Sequence, residues 1–319
     1  MPRLFVMNLC HDIALAGGAV SGRLLQFERD LQPLARWLAT GDDIVLPLCP
    51  VPEGVEIVPW GWDGRLFRTL GISSYPGVDL QAIKRLSSKV TAAAVLKEMV
   101  GSADVVGDVR VCDSMESVEE ACCKFGRSVL KQPWSSSGRG LRWVVVLTEA
   151  DKRWARRALR GQGAIVVQPW LNKVLDCACE FEATDVGVRF VGLSVFRTER
   201  GRYCGNLLRS QGELRQMITS YIGERLLDET ITSLREILSK IVCGRYKGPL
   251  GVDMMVCSEG LMPCVEINMR QTMGLLAMRV YEKTGRRGVM KIGERMPAGA
   301  YPLQSFNPAA HFSAWIEAD

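Results

Sequence analysis

Residues 251–270 read GVDMMVCSEGLMPCVEINMR, and residues 129–141 read VLKQPWSSSGRGL. The first stretch is two apolar runs of strand length whose ends present Asp253, Glu266, Asn268 and Arg270; the second is an apolar strand that carries Lys131 into a Ser/Gly loop, Ser135 to Gly140. Glu266 and Asn268 stand two apart, so on a strand their side chains project to one face. Oxygen donors placed in this way suit Mg²⁺, which takes one or two carboxylates and completes its shell with phosphate oxygens and water. Acids at the ends of apolar strands are also costly to bury without a cation. A lysine leading into a Ser/Gly loop suits polyphosphate, because the ammonium neutralises charge and glycine lets backbone N–H groups approach phosphate oxygens. The loop has the spacing of neither the P-loop, G-x-x-x-x-G-K-S/T, nor the dinucleotide fingerprint G-x-G-x-x-G. Taken singly, each stretch also reads as a surface hairpin with solvated polar side chains.

The chain of 319 residues is long enough for two or three modest cores, so more than one domain is expected. At 47% hydrophobic and 24% charged it has a globular composition. Forty basic against thirty-five acidic residues give +5, too small a surplus over this length to indicate nucleic acid. The eleven cysteines are scattered through apparent strands and helices and read as free thiols of a reducing compartment. With two histidines, neither a Cys/His zinc site nor a Ser-His or Cys-His hydrolase is supported. No apolar run reaches the ~18 residues a membrane helix needs, and the N-terminal stretch lacks a signal-peptide layout. A cytoplasmic location without membrane contact is expected.

Along the chain, RLFVMNL (3–9), a helical stretch to about residue 40, and DIVLPL (43–48) give strand, helix, strand, the pattern of an open α/β unit with a parallel sheet. A Pro/Gly-rich connection over 47–80 is followed by a helical pattern from Leu80 to Val100. Ser87 and Ser88 interrupt it, and Ser88 reads as the N-cap of a helix beginning at Lys89. A compact α/β lobe follows to AIVVQPWL (164–171), then strands over 175–205, one long helix from about 220 to 243, the two strands of 251–270, and a last helix in TMGLLAMRVYEKTG. Residues 294–319 show no clear periodicity.

In order and spacing these motifs resemble the ATP-grasp superfamily over about residues 85–280: a strand lysine before a Ser/Gly loop, a strand turning at QPWL, an acidic strand, then Asp and Glu-x-Asn ending in Arg. The resemblance implies a fold that is α/β and α+β, an N-terminal open α/β substrate domain (1–88) followed by a central lobe with the Ser/Gly loop (89–168) and a C-terminal lobe with the metal site (169–319). It implies that Lys89 and Lys131 face the nucleotide phosphates and that Ser135, Ser136, Ser137, Gly138 and Gly140 close over them. Gln168 to Leu171 become the adenine hinge, read by backbone groups of Trp170 and Leu171, although the family usually has an acid where Gln168 stands. Asp176, or Glu180 on the same strand face, takes the place of the ribose-binding carboxylate. Asp253, Glu266 and Asn268 hold the magnesium ions, Mn²⁺ being a second candidate, and Arg270 stabilises the transferred phosphoryl group. Of Arg197, Arg202 and Arg209, the last is the preferred source of a further cation, against the plainer reading of solvated arginines on a sheet edge.

Asn8, His11 and Asp12 sit where the first strand meets the first helix, where open α/β sheets place ligands, and are the candidate acceptor contacts. Asp12 reads equally as a helix N-cap, and His11 as a satisfied structural histidine. Trp60, Trp62 and Trp134 offer stacking faces or local packing. The resemblance implies an ATP-dependent ligase joining a small-molecule or peptide carboxylate to an amine or similar nucleophile through an acylphosphate. A small-molecule kinase and a non-catalytic nucleotide-binding regulator are the alternatives, and a homodimer is compatible with all three.

Overall fold

In the computed structural model, which describes residues 2–45, 54–101, 104–135, 138, 140–199, 201–305 and 307–318, β1 (Arg3–Val6) lies at the centre of a parallel sheet of order β2-β1-β3. Its partners are β2 (Ile44–Val45) and β3 (Glu56–Pro59), both parallel to it. Parallel neighbours need crossovers, and α1 (His11–Leu15), α2 (Gly22–Leu31) and α3 (Ala35–Leu38) supply one of them. Pro33 opens a 3-10 turn over Gln32–Leu34 that divides α2 from α3. Beyond β3, α4 (Gly64–Leu70) is capped by the Asp63 carboxylate, which accepts from Leu66 N–H at 2.8 Å. The interrupted helical pattern becomes α5 (Leu80–Leu86) and α6 (Lys89–Met99), with the Ser88 hydroxyl accepting from Val90 N–H.

The central lobe is a four-stranded antiparallel sheet of order β4-β7-β5-β6, formed by β4 (Arg110–Cys112), β5 (Ser128–Lys131), β6 (Leu141–Val144) and β7 (Ile165–Pro169). Helices α7 (Met115–Phe125) and α8 (Glu149–Gln162) start at reciprocal capping boxes, Ser114 with Ser117 and Thr148 with Asp151. Val118, Ala121, Ala155 and Ala158 seal Leu130, Ile165 and Val167 beneath them. Lys131 therefore ends an interior strand, flanked by Leu141 on one side and Val166 on the other.

The largest sheet is antiparallel, of order β12-β11-β8-β9-β10-β13-β15-β14. Its strands are β8 (Lys173–Thr184), β9 (Gly187–Glu199), β10 (Arg202–Leu208), β11 (Gly248–Cys257), β12 (Gly260–Asn268), β13 (Gly288–Gly293), β14 (Tyr301–Pro302) and β15 (Ser313–Glu317). Alternation gives this sheet two unlike faces. Cys177, Cys179, Phe181, Val252, Met254 and Ile267 join the main core with α6, α9 (Gln211–Ile222) and α10 (Glu224–Val242). The residues between them, among them Asp176, Glu180, Asp253, Glu266 and Asn268, belong to the opposite, polar face. That face is partly covered by α11 (Met273–Thr284).

Two expectations change here. The helix expected from about 220 to 243 is α10, and a separate α9 precedes it, because Gly223 at φ 77° and ψ 155° leaves helical space and starts α10 anew. Residues 294–319 hold β14 and β15, which are too short to show a period. β15 pairs with β13, and its Ala314 and Ile316 pack on the core that also contains Phe5, Leu31 and Leu276. Among the described residues no helix is long and apolar enough to cross a membrane. Phe181 is fully buried in the main core. Phe181→Ala is expected to lower stability by about 3–5 kcal/mol, read as a shift in the urea-unfolding midpoint.

Candidate functional site

Lys89 opens α6, Lys131 ends β5, and Asp253 and Glu266 are directly opposed cross-strand partners on β11 and β12. A β-bulge just after Asp253 re-aims the strand at this point. Lys89 joins α6 to β12 and to the loop after β5, its Nζ donating to Glu266 Oε1 at 2.8 Å and to the Ser135 carbonyl at 3.0 Å. Its own backbone N–H donates to the Pro133 carbonyl at 2.9 Å, which fixes the start of the Ser/Gly loop to the start of α6. Burial, with the Lys89 charge adding to it, lowers the Lys131 ammonium to about 8. Burial, with the Glu266 and Glu180 carboxylates nearby, raises the Asp253 carboxyl to about 8.

Arg270, just beyond β12, joins this sheet to the N-terminal unit. Its Nε and Nη2 donate to the two Asp12 carboxylate oxygens, each at 2.8 Å, and Nη2 also donates to Asn268 Oδ1 at 2.8 Å. Burial opposes charge on Asp12, but the Arg270 guanidinium outweighs it and holds the carboxyl below its usual range. The Trp60 ring lies 6.0 Å from the same guanidinium. Asp12 lies in the first turn of α1 with no capping bond, so it is not the N-cap.

The three candidate acceptor contacts separate. Asp12 reaches the cleft, whose walls also include Leu15, Trp134, Ser135, Glu266 and Asn268. Asn8 and His11 are buried and are not among its walls. The Asn8 side-chain amide donates to the Gly61 carbonyl at 2.6 Å and to Asp63 Oδ2 at 2.9 Å. His11 Nδ1 is 3.4 Å from Asp63 Oδ2, and its ring packs so tightly on Gly61 that a Cβ there would lie 2.7 Å away. Asn8 and His11 thus brace α1 and α4 and do not line the cleft.

Around the cleft, Gly138 has φ 73° and abuts the turn between β9 and β10, where an added Cβ would lie 2.7 Å from the Gly201 carbonyl oxygen. At Gly140 a Cβ would overlap the Ser135 side chain. Ser136 and Ser137 lie outside the described residues. Gln168 is buried in β7 opposite Val129. The Trp170 N–H donates to the Arg127 carbonyl at 2.8 Å and its ring stacks 4.2 Å from the Arg127 guanidinium, so that N–H is not available to a base edge. Leu171 packs against the main core. Asp176 is held by Lys173 Nζ and the Thr198 hydroxyl, each at 2.6 Å. Glu180 is 1% exposed with both oxygens hydrogen-bonded, which withdraws it from the ribose position. Arg209 donates from Nη1 to the Leu208 carbonyl at 2.7 Å and to the Gly288 carbonyl at 3.3 Å, both on the β10–β13 side of the sheet. Trp134 packs locally, its Nε1 donating to the Lys84 carbonyl at 2.7 Å.

No sequence signal marked Leu15 as a cleft residue or Lys89 as the partner of Glu266, since both depend on contacts between remote segments. Among the described residues no three or more His, Cys, Asp or Glu side chains gather as a metal cluster. The donor set is two facing carboxylates and one amide, with a lysine ammonium on one of them. Those hard oxygens, with the Asp253 carboxyl buried beside a second carboxylate, fit Mg²⁺ better than a softer ion. A larger open depression, lined in part by Arg189, Arg235 and Lys240, lies against α10 and contains none of these residues.

No family model and no curated protein matches the sequence. Solved structures do resemble the fold. An N5-carboxyaminoimidazole synthetase from Staphylococcus aureus, complexed with ADP, aligns over 100% of this chain and 94% of its own at 10% identity and a TM-score of 0.53. An N5-carboxyaminoimidazole ribonucleotide synthetase from Thermus thermophilus aligns over 99% and 94% at 14% identity, with a TM-score of 0.54. A D-alanyl-alanine synthetase A from Vibrio cholerae aligns over 90% and 94% at 11% identity, with a TM-score of 0.56.

Lys131 carries its charge below about pH 8 and sheds it above. Any polyphosphate bound beside it would favour the charged form, so with ADP as the calorimetric probe affinity is expected to fall as pH rises through about 8, by up to about tenfold per pH unit. Lys131→Met should flatten that limb.

Proposed function

The chain has the ATP-grasp fold, and on that premise we propose that it is an ATP-dependent ligase that activates a carboxylate as an acylphosphate and joins it to an amine or similar nucleophile. The observation that carries this reading is the clustering of Lys89, Lys131 and Asp253 around Glu266, which lines the cleft, with Lys89 Nζ 2.8 Å from Glu266. Lys89 neutralises a carboxylate that a bound metal would also neutralise. Asp253, Glu266 and Asn268 would hold Mg²⁺, which supplies charge neutralisation at the β- and γ-phosphates when bound.

The chain's own residues then have distinct tasks. Lys89 exchanges Glu266 for phosphate oxygens, and Lys131 is held, largely desolvated, where polyphosphate charge restores its proton. Gly138 and Gly140 let the loop backbone approach the phosphates and keep water from the acylphosphate. Arg270 faces the phosphoryl group in transfer, oriented by the bidentate Asp12 carboxylate. A substrate carboxylate oxygen attacks the γ-phosphorus and the bond to the ADP oxygen breaks. The nucleophile next attacks the acyl carbon, inorganic phosphate departs with the electrons of the C–O bond, and the nitrogen gives up its proton. Phosphoryl transfer of this kind asks mainly for positioning and charge, which the cleft offers, and no dedicated base is needed.

The test is an ADP-release screen with Mg-ATP across pools of amino acids, short peptides and other carboxylates, with product masses measured. ADP formation that requires both a carboxylate and an amine, with a condensed product, is the expected result. Phosphorylated product without condensation would instead assign a kinase. Glu266→Gln, which keeps the side-chain shape and removes the charge, is expected to lower ADP release by about a hundredfold or more. Wild-type turnover in that variant would refute the site.

A further inference from the structure

Glu180 lies on β8, on the polar face of the large sheet, and is 1% exposed. A carboxylate is seldom buried so deeply without a lysine or arginine on it, and here its two partners are hydroxyls. Thr272 Oγ1 donates to Oε2 at 2.8 Å and Ser194 Oγ donates to Oε1 at 2.9 Å. The slot around it is built from glycines. A Cβ at Gly251, its cross-strand neighbour on β11, would lie 2.7 Å from Oε2, and a Cβ at Gly274 would overlap Oε1. A Cβ at Gly192, its neighbour on β9, would crowd Met278 of α11 at 2.5 Å. The first turns of α11 therefore lie flush on the sheet with the Glu180 carboxylate wedged between.

Thr272 links this wedge to the cleft. Its hydroxyl is also the N-cap of α11, accepting from Leu275 N–H at 3.0 Å, and it lies two residues after Arg270 and four after Asn268. The segment between the end of β12 and the start of α11 is thus pinned from behind at Thr272, while Asp12 holds it in front through Arg270.

We propose that Glu180 is a positioning residue that fixes the Asn268–Thr272 segment through Thr272, and so sets where the Asn268 amide and the Arg270 guanidinium stand in the cleft. The inference rests on the nucleotide–metal reading of that cleft. It assigns Glu180 no contact with nucleotide, metal or substrate. Reach, and not charge alone, is the property that matters, because the carboxylate must extend to Thr272 across the glycine slot. Residues that support metal-facing groups in this way commonly cost ten- to a hundredfold in affinity or activity when changed.

The test compares Glu180→Gln with Glu180→Asp. Gln keeps the length, can accept from Thr272 and can donate to Ser194; Asp keeps the charge and is one methylene short. For each, the thermal unfolding midpoint confirms the fold, ADP affinity is measured with and without Mg²⁺, and kcat and KM for ATP are determined. Expected is an E180D variant whose Mg²⁺-dependent gain in ADP affinity and whose kcat fall about tenfold. Its Mg²⁺-free ADP affinity should stay unchanged, with E180Q within about threefold of wild type throughout. E180D behaving as wild type, or E180Q losing as much as E180D, would overturn the proposal. A wild-type ADP affinity indifferent to Mg²⁺ would overturn the underlying reading of the cleft as well, so the two failures are told apart.

Discussion

Two carboxylates face each other across β11 and β12 at the edge of the largest sheet, and the rest of the molecule is arranged around keeping them there. Asp253 and Glu266 are directly opposed, where like charges repel and where burial works against the charge on Asp253. The cation that offsets them does not come from the same sheet. Lys89 arrives from the first turn of α6 and binds at once Glu266 and the carbonyl of Ser135. A single ammonium thus ties the acidic strand β12 to the Ser/Gly loop. Its position is backed by Ser88, which starts the helix, and by the Pro133 carbonyl on its backbone N–H.

The N-terminal unit enters through a second charge pair. Arg270 is held by Asp12 in a bidentate grip that also includes Asn268, so the first α/β crossover, the end of β12 and the start of α11 share one polar knot. Bidentate guanidinium–carboxylate pairing fixes orientation as well as distance. Behind the knot the sheet is apolar and continuous with α6, α9 and α10, which gives the polar face a rigid support. Asn8, His11 and Asp63 form a buried polar bracket under Asp12, and through it the floor of the cleft is coupled to the cap of α4. Their placement explains why a polar triplet at a strand end need not contribute three side chains to a binding surface.

How far the sequence could be read depended on whether a signal was local. The two strands within 251–270 and the Ser88 cap are properties of a few neighbouring residues, and they appear as read. The division of residues 211–242 into two helices turns on the backbone of Gly223, which a hydrophobic pattern does not register. The strands β14 and β15 are recruited by β13 and by the N-terminal core, far away in sequence. Trp170 N–H and the Glu180 carboxylate were ligand groups by resemblance alone; remote partners, Arg127 in one case and Thr272 with Ser194 in the other, occupy them.

By itself the sequence determined much of the order of elements, the apolar and polar faces of the acid-bearing strands, and which lysines, acids and amide stand at strand ends, because these follow from side-chain type and period along the chain. Only the tertiary structure decided which of those residues share a cleft. Lys89 meets Glu266 across 177 positions and Arg270 meets Asp12 across 258, and such pairings are set by the way the three sheets close on one another. The burial that moves Lys131 down and Asp253 up to about 8 arises from that same closure, so the electrostatic character of the cleft belongs to the assembled fold and to no single stretch of chain.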